Sequence, residues 1–151
     1  LGTLRCEDSV PLEGTADWLS ELISLAVMNI VGIGIDLAEI DRVERLLGKY
    51  PEKFRERCFT DHERAYADRF ANPSSRLAAR FAGKEAVMKS LGRGWRQLRW
   101  KDIEITGGGK PTVNLFGTAA RRAAQLGVSE VHVSITHTDV TAMVLAISVA
   151  D

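Results

Sequence analysis

Between Ser74 and Leu91 the chain keeps a helical pattern in which small side chains, Ala78, Ala79, Ala82, Gly83 and Ala86, alternate with Leu77, Phe81 and Val87. A helix so thinly clad lets another backbone come close, so the rest of the fold is expected to pack tightly against it. Gly92 and Gly94 supply its stop.

The other segments sort by their periods. Ile30 to Leu37 is mostly β-branched, carries Gly32 and Gly34, and reads as a strand. Glu39 to Gly48 reads as a helix with an apolar stripe of Ile40, Val43, Leu46 and Leu47, ended by Gly48. After Pro51 a short basic helix runs into Cys58 and Phe59, and Thr60-Asp61-His62-Glu63 has the form of a capping box opening a helix to about Phe70. Asp102 to Thr106 and Pro111 to Leu115 flank the turn Gly107 to Lys110 as a hairpin, and Thr118 to Gln125 is a helix ended by Gly127. Glu130 to Thr136 alternates, and Ala142 to Val149 is almost wholly apolar; the turn His137 to Val140 joins them. This order predicts an α+β fold: a largely antiparallel sheet packed against the long helix, in a single domain over residues 28–151.

Residues 1–27 stand apart. They hold Arg5 against Glu7, Asp8, Glu13, Asp17 and Glu21, which leaves 19 basic and 15 acidic residues in the remainder of a chain that is neutral overall. A body at about +4 suits an acidic ligand or partner, although an ordinary solvated surface also carries so modest an excess. Trp18, Leu19, Leu22, Ile23 and Ala26 fall on one helical face, so this leader is expected to be an N-terminal helical extension, and Met28 resembles an original start. It has no basic segment ahead of an apolar one and no A-x-A site, which argues against secretion. Cys6 and Cys58 form no CxxC and no disulfide framework, and the apolar run after Ala142 is less than half of the roughly 20 residues of a membrane span. A cytoplasmic location is expected.

Few side chains are candidates for chemistry. Gly32-x-Gly34 is not a dinucleotide fingerprint, since Leu37 stands at the third glycine position; the two glycines instead allow close backbone approach. Asp36, near the strand end, can be an N-cap for the following helix or a cation ligand. Glu85 and Lys89 share a helix face, either as a surface ion pair or as a carboxylate for metal and an ammonium for phosphate. Gly107 to Lys110, fixed by Pro111, offers backbone amides that can take a phosphate, or is simply a turn. His137 lies at a strand end among Ser134, Thr136, Thr138 and Asp139, where it can contact a phosphate or hydroxyl; His132 faces the other side of the sheet, so no zinc site is expected. No G-x-S-x-G elbow supports a nucleophilic serine.

Taken together, these motifs resemble those of the holo-acyl-carrier-protein synthases, the small 4'-phosphopantetheinyl transferases. The likeness runs from about Met28 to Val149: Gly-Ile-Gly-Ile-Asp36 with Glu39 and Arg42, Phe59-Thr60 with Glu63, Arg80-Phe81-Ala82 with Lys84-Glu85-Ala86 and Lys89, Leu91-Gly92 with Gly94, Gly109-Lys110-Pro111, and Ser134-Ile135-Thr136-His137. The resemblance implies transfer of 4'-phosphopantetheine from coenzyme A to a serine of apo acyl carrier protein, releasing adenosine 3',5'-bisphosphate, a step of fatty acid and lipid metabolism. It implies Mg²⁺ held by Asp36 and Glu85, phosphate contact by Lys89, and a serine proton taken by Glu85 or by a water on the metal. It also implies a homotrimer in which Asp36 and Glu85 of one subunit face Gly109, Lys110, Pro111 and His137 of the next, the latter group holding the nucleotide. Arg42, Arg45, Lys49 and Lys53 would then meet an acidic carrier helix. Three departures stand out: Gly83 where alanine is usual, an acidic residue at Asp139 rather than directly after the histidine, and the leader itself. A non-catalytic coenzyme A or nucleotide binding module is the alternative; it would need Lys110 and His137 but not both carboxylates.

Overall fold

The computed structural model describes residues 29–151. The expected helix within residues 1–27, and Met28, lie outside the described residues.

The described residues begin with β1 (Asn29–Glu39) and continue through α1 (Ile40–Lys49), α2 (Pro51–Cys58), α3 (Asp61–Ala67) and the long α4 (Pro73–Ser90). A 3-10 turn at Trp100–Asp102 leads into the hairpin β2 (Ile103–Thr106) and β3 (Thr112–Leu115), followed by α5 (Gly117–Gln125) and the hairpin β4 (Glu130–His137) and β5 (Thr141–Ala150). The strands form two antiparallel sheets, one in the order β1-β5-β4 and one of β2 and β3. The predicted α+β architecture is the observed one.

The small residues of α4 do what their size allows. A Cβ on Gly32 would fall on the Ser90 carbonyl, and one on Gly34 on the Ala86 carbonyl, so β1 lies against α4 closer than any side chain permits. Gly83 serves β2 in the same way, since a Cβ there would meet the Ile105 side chain. Ala78, Ala82, Ala86, Val87, Leu77 and Leu91 are fully buried in the resulting core.

Two local expectations change. Gly48 does not end α1, which runs on through Lys49; the break comes at Tyr50, the residue before Pro51, which a proline keeps out of helical geometry. Asp36 is not an N-cap, because β1 continues to Glu39, and Glu39 caps α1 without a side-chain hydrogen bond. The capping box at α3 forms in full, with Glu63 N–H donating to Thr60 Oγ1 at 3.3 Å and Thr60 N–H to Glu63 Oε2 at 2.9 Å. No helix among the described residues is long and apolar enough to cross a membrane.

Candidate active site

Alternation along β1 turns Gly32, Gly34 and Asp36 towards α4, and the missing side chains of the first two bring Asp36 down onto that helix. Glu85 and Lys89, one turn apart on α4, are the residues it meets there. Lys89 Nζ lies 2.7 Å from Asp36 Oδ1 and donates a second hydrogen bond to the Ile35 carbonyl at 2.8 Å. Burial pushes the Glu85 carboxyl above the ordinary range, and the Asp36 carboxylate beside it pushes further, against the pull of Lys89 and Arg42. A narrow cleft of about 180 Å³ opens here, bounded by Asp36, Glu39, Arg42, Leu46, Phe81 and Glu85.

Two carboxylates forced together in a half-buried cleft are a donor set for a hard cation. Among the described residues no group of three or more His, Cys, Asp or Glu gathers. A pair of carboxylates leaves most of an octahedral shell to water and substrate phosphates, which is the usual arrangement for Mg²⁺ and differs from an all-protein calcium cage. The residues therefore fit the implied ion.

The other candidates lie elsewhere on the chain. Gly109, Lys110 and Pro111 form the tip of the β2–β3 hairpin, held from beneath by Arg80, whose guanidinium donates to the Gly107 carbonyl at 2.8 Å and stacks 4.4 Å over the Tyr66 ring. Gly107 turns the chain at φ +84°, where a side chain would be strained. His137 closes β4 and lines a separate depression with Asn72, Ser75, Arg76 and Asp139. None of these borders the Asp36–Glu85 cleft within one chain. Arg42, Arg45, Lys49 and Lys53 are all exposed along α1 and the first turn of α2.

Two features went unread in the sequence. Lys84 is fully buried and ion-paired with Glu63, and Phe81, which lines the cleft, is backed by Phe54 at a tilt and by the stacked Trp100 ring. The first had a signal: Lys84 stands seven residues after Leu77 and seven before Leu91, squarely in the buried stripe of α4.

Comparison with known proteins gives the arrangement its context. The family model for the 4'-phosphopantetheinyl transferase superfamily matches residues 32–145. A holo-[acyl-carrier-protein] synthase of Solibacter usitatus is 53% identical over 112 residues, 72% of this chain and 90% of that protein. One of Natranaerobius thermophilus is 43% identical over 124 residues, 81% of this chain and 99% of that protein. Among solved structures, the Plasmodium yoelii acyl carrier protein synthase with ADP bound superposes with a TM-score of 0.75 at 29% identity, covering 83% of this chain and 99% of that one. The Bacillus anthracis holo-(acyl-carrier-protein) synthase in complex with CoA (3',5'-ADP) gives 0.66 at 32% identity, covering 83% and 100%. The chain belongs to the 4'-phosphopantetheinyl transferase superfamily, within its family of holo-acyl-carrier-protein synthases.

Proposed function

We propose that this chain transfers 4'-phosphopantetheine from coenzyme A to a serine of an apo acyl carrier protein, with Mg²⁺ held by Asp36 and Glu85. The carrying observation is that these two carboxylates, distant in sequence, share one cleft and one lysine. A binding module without catalysis has no use for that costly pairing. When bound, the ion neutralises charge on the pyrophosphate under attack.

The protein groups have separable tasks. Glu85, its carboxyl raised by burial and by the Asp36 carboxylate, is suited to accept the serine proton as the serine oxygen attacks phosphorus and the bond to adenosine 3',5'-bisphosphate breaks. Lys89 spends two of its three N–H groups on Asp36 and Ile35, which fixes the ammonium and leaves the third for a phosphate oxygen. Incubation with coenzyme A, Mg²⁺ and an apo carrier should add one phosphopantetheine to the carrier by mass, and chelator should prevent it. An unchanged carrier mass with every apo carrier tried would sink this reading.

Among the described residues one face of the β1-β5-β4 sheet is apolar and exposed, which suits an interface of the homotrimer proposed here. Ile33, Ile35 and Leu37 are 60%, 53% and 57% exposed, with Leu145 and Met143 paired beside Ile35 and Leu37. A row of large apolar side chains in water marks an interface. In that assembly Gly109, Lys110, Pro111 and His137 of a neighbouring subunit would complete the site with the nucleotide end of coenzyme A. Ile35→Lys is expected to give monomers by light scattering and to lose transfer; a trimer of unchanged mass would contradict the assignment of this face.

Arg42, Arg45, Lys49 and Lys53 are proposed to steer the acidic carrier. Arg45→Glu with Lys49→Glu should raise KM for the carrier about tenfold and flatten its salt dependence. The KM for coenzyme A and kcat should stay unchanged. A cytoplasmic setting suits these substrates.

A further inference from the structure

Lys84 and Glu63 form an ion pair from which solvent is wholly excluded. Lys84 Nζ lies 2.7 Å from Glu63 Oε2, with both side chains 0% exposed. The same ammonium donates to the Trp100 carbonyl at 2.9 Å and stands 5.8 Å from the centre of the Phe59 ring. Glu63 accepts two further hydrogen bonds, from Thr60 N–H on Oε2 and from Ile105 N–H on Oε1, each at 2.9 Å. Two side chains thus join the start of α3, the middle of α4, the 3-10 turn and β2.

Such a pair is a weak source of stability. Desolvation of both ions offsets most of their attraction, and apolar residues of the same volume commonly hold a core as well. Burial pulls the Lys84 ammonium below the usual lysine range in spite of Glu63 and the groups around it. What the pair does supply is direction. Lys84 and Glu85 are neighbours on α4, so their side chains leave the helix about 100° apart. Pinning Lys84 in the core fixes the rotation of α4, and with it the aim of Glu85 at Asp36 and of Lys89 one turn on. On its other side the same ammonium holds the Trp100 backbone, and the Trp100 ring stacks on Phe81 at 4.6 Å and 15°. Phe81 is a wall of the Asp36–Glu85 cleft.

We propose that the Lys84–Glu63 pair is the positioning device of this site: one buried ammonium sets both the azimuth of Glu85 and the place of the Phe81 wall. The inference rests on the functional reading above and is separable from it by experiment. In Glu63→Gln with Lys84→Met both side chains keep about their shape and no unpaired charge is left buried. Glutamine, however, offers one acceptor oxygen to the N–H groups of Thr60 and Ile105, and the Trp100 carbonyl loses its donor. The full chain should therefore fold with a lowered Tm and is assayed well below it. Its kcat should drop about 10²-fold, the effect of misplacing a reacting group by an ångström, while KM for coenzyme A changes less than threefold. Mn²⁺ affinity, read by electron paramagnetic resonance without any substrate, should weaken about tenfold, as it does when the groups orienting metal ligands are removed. Val131→Ala, a core truncation on β4, should lower Tm and leave kcat and Mn²⁺ affinity alone.

Equal kcat and equal Mn²⁺ affinity in the double variant would overturn the positioning role while leaving the transferase reading intact. A parent protein that binds Mn²⁺ yet modifies no apo carrier would remove the transferase reading, and the Mn²⁺ comparison would still decide the role of the pair. Should the double variant fail to fold, Lys84→Met alone, which keeps both backbone N–H bonds to Glu63 and removes only the ammonium, carries the same expectation at about tenfold in kcat below its Tm, and an unchanged kcat there overturns the proposal.

Discussion

Glu85→Gln is expected to lower kcat by about 10³-fold or more, the scale on which positioned general bases act, and to leave the fold at least as stable as before. Both halves follow from one fact. The Glu85 carboxyl is raised first by burial and then by the Asp36 carboxylate beside it, so the folded protein holds this proton more tightly than the unfolded chain does. Between the ordinary carboxyl range and the raised value the native state binds more protons, and unfolding free energy therefore falls as pH rises through that window. Above it the folded protein carries an ionised Glu85 at a cost that glutamine does not incur. Tm measured against pH should show the variant gaining on the parent as pH rises above the ordinary carboxyl range, with the two converging at low pH. Parent kcat should fall on the acid side as Glu85 takes up its proton. A glutamine variant that modifies the carrier at the parental rate would show that Glu85 is not the base, and one whose Tm drops above the ordinary carboxyl range would show that it is not the strained partner of Asp36. The stability that this site forgoes is the ordinary consequence of placing like charges where a substrate and a cation will later separate them.

Periodicity and punctuation made most of the fold legible. The small-residue helix, the capping box at Thr60 to Glu63 and the alternating strands each carry a local signal, and each stands where that signal put it. Misplaced features were those in which a neighbour overrides a local rule. Gly48 could have been a stop, but the proline three residues later decides where α1 breaks. Asp36 could have capped α1, but pairing with β5 carries the strand on through Glu39. For the site, residue type and spacing placed Glu85 and Lys89 on one helical face, whereas their meeting with Asp36 depends on how closely β1 can lie on α4. Lys84 was hidden for a related reason: lysine is usually read as surface, and only Leu77 and Leu91 at heptad distance give its burial away. Its partner Glu63 had already been explained as a capping residue, and one explanation does not exclude another when a carboxylate has two oxygens.

Gly34→Ala tests how the site is held together, and it should be among the most damaging single-methyl additions available in this chain. The added Cβ would land on the Ala86 carbonyl oxygen and press on the Ser90 amide nitrogen at 2.7 Å, both of them backbone atoms inside α4. Side chains can step aside from a methyl group; a hydrogen-bonded helix backbone cannot, so β1 must lift away. Overpacking of this kind costs about 3 kcal/mol, which for a chain of this size is a fall in Tm of roughly 10 °C. Two residues further along the same strand face sits Asp36, so the lift also separates its carboxylate from Glu85 and Lys89, and transfer should drop even at temperatures where the variant is folded. Gly48→Ala is the internal comparison. Nothing lies within 4 Å of a Cβ at Gly48, in the last turn of α1, and alanine there should stabilise by about 0.5 to 1 kcal/mol through the helical preference that glycine lacks. Thermal unfolding and carrier modification of the two variants side by side should therefore move in opposite directions for stability and differ in activity. If Gly34→Ala melts with the parent and modifies carrier at its rate, β1 has room above α4, and the close approach that delivers Asp36 to Glu85 is not what assembles this site.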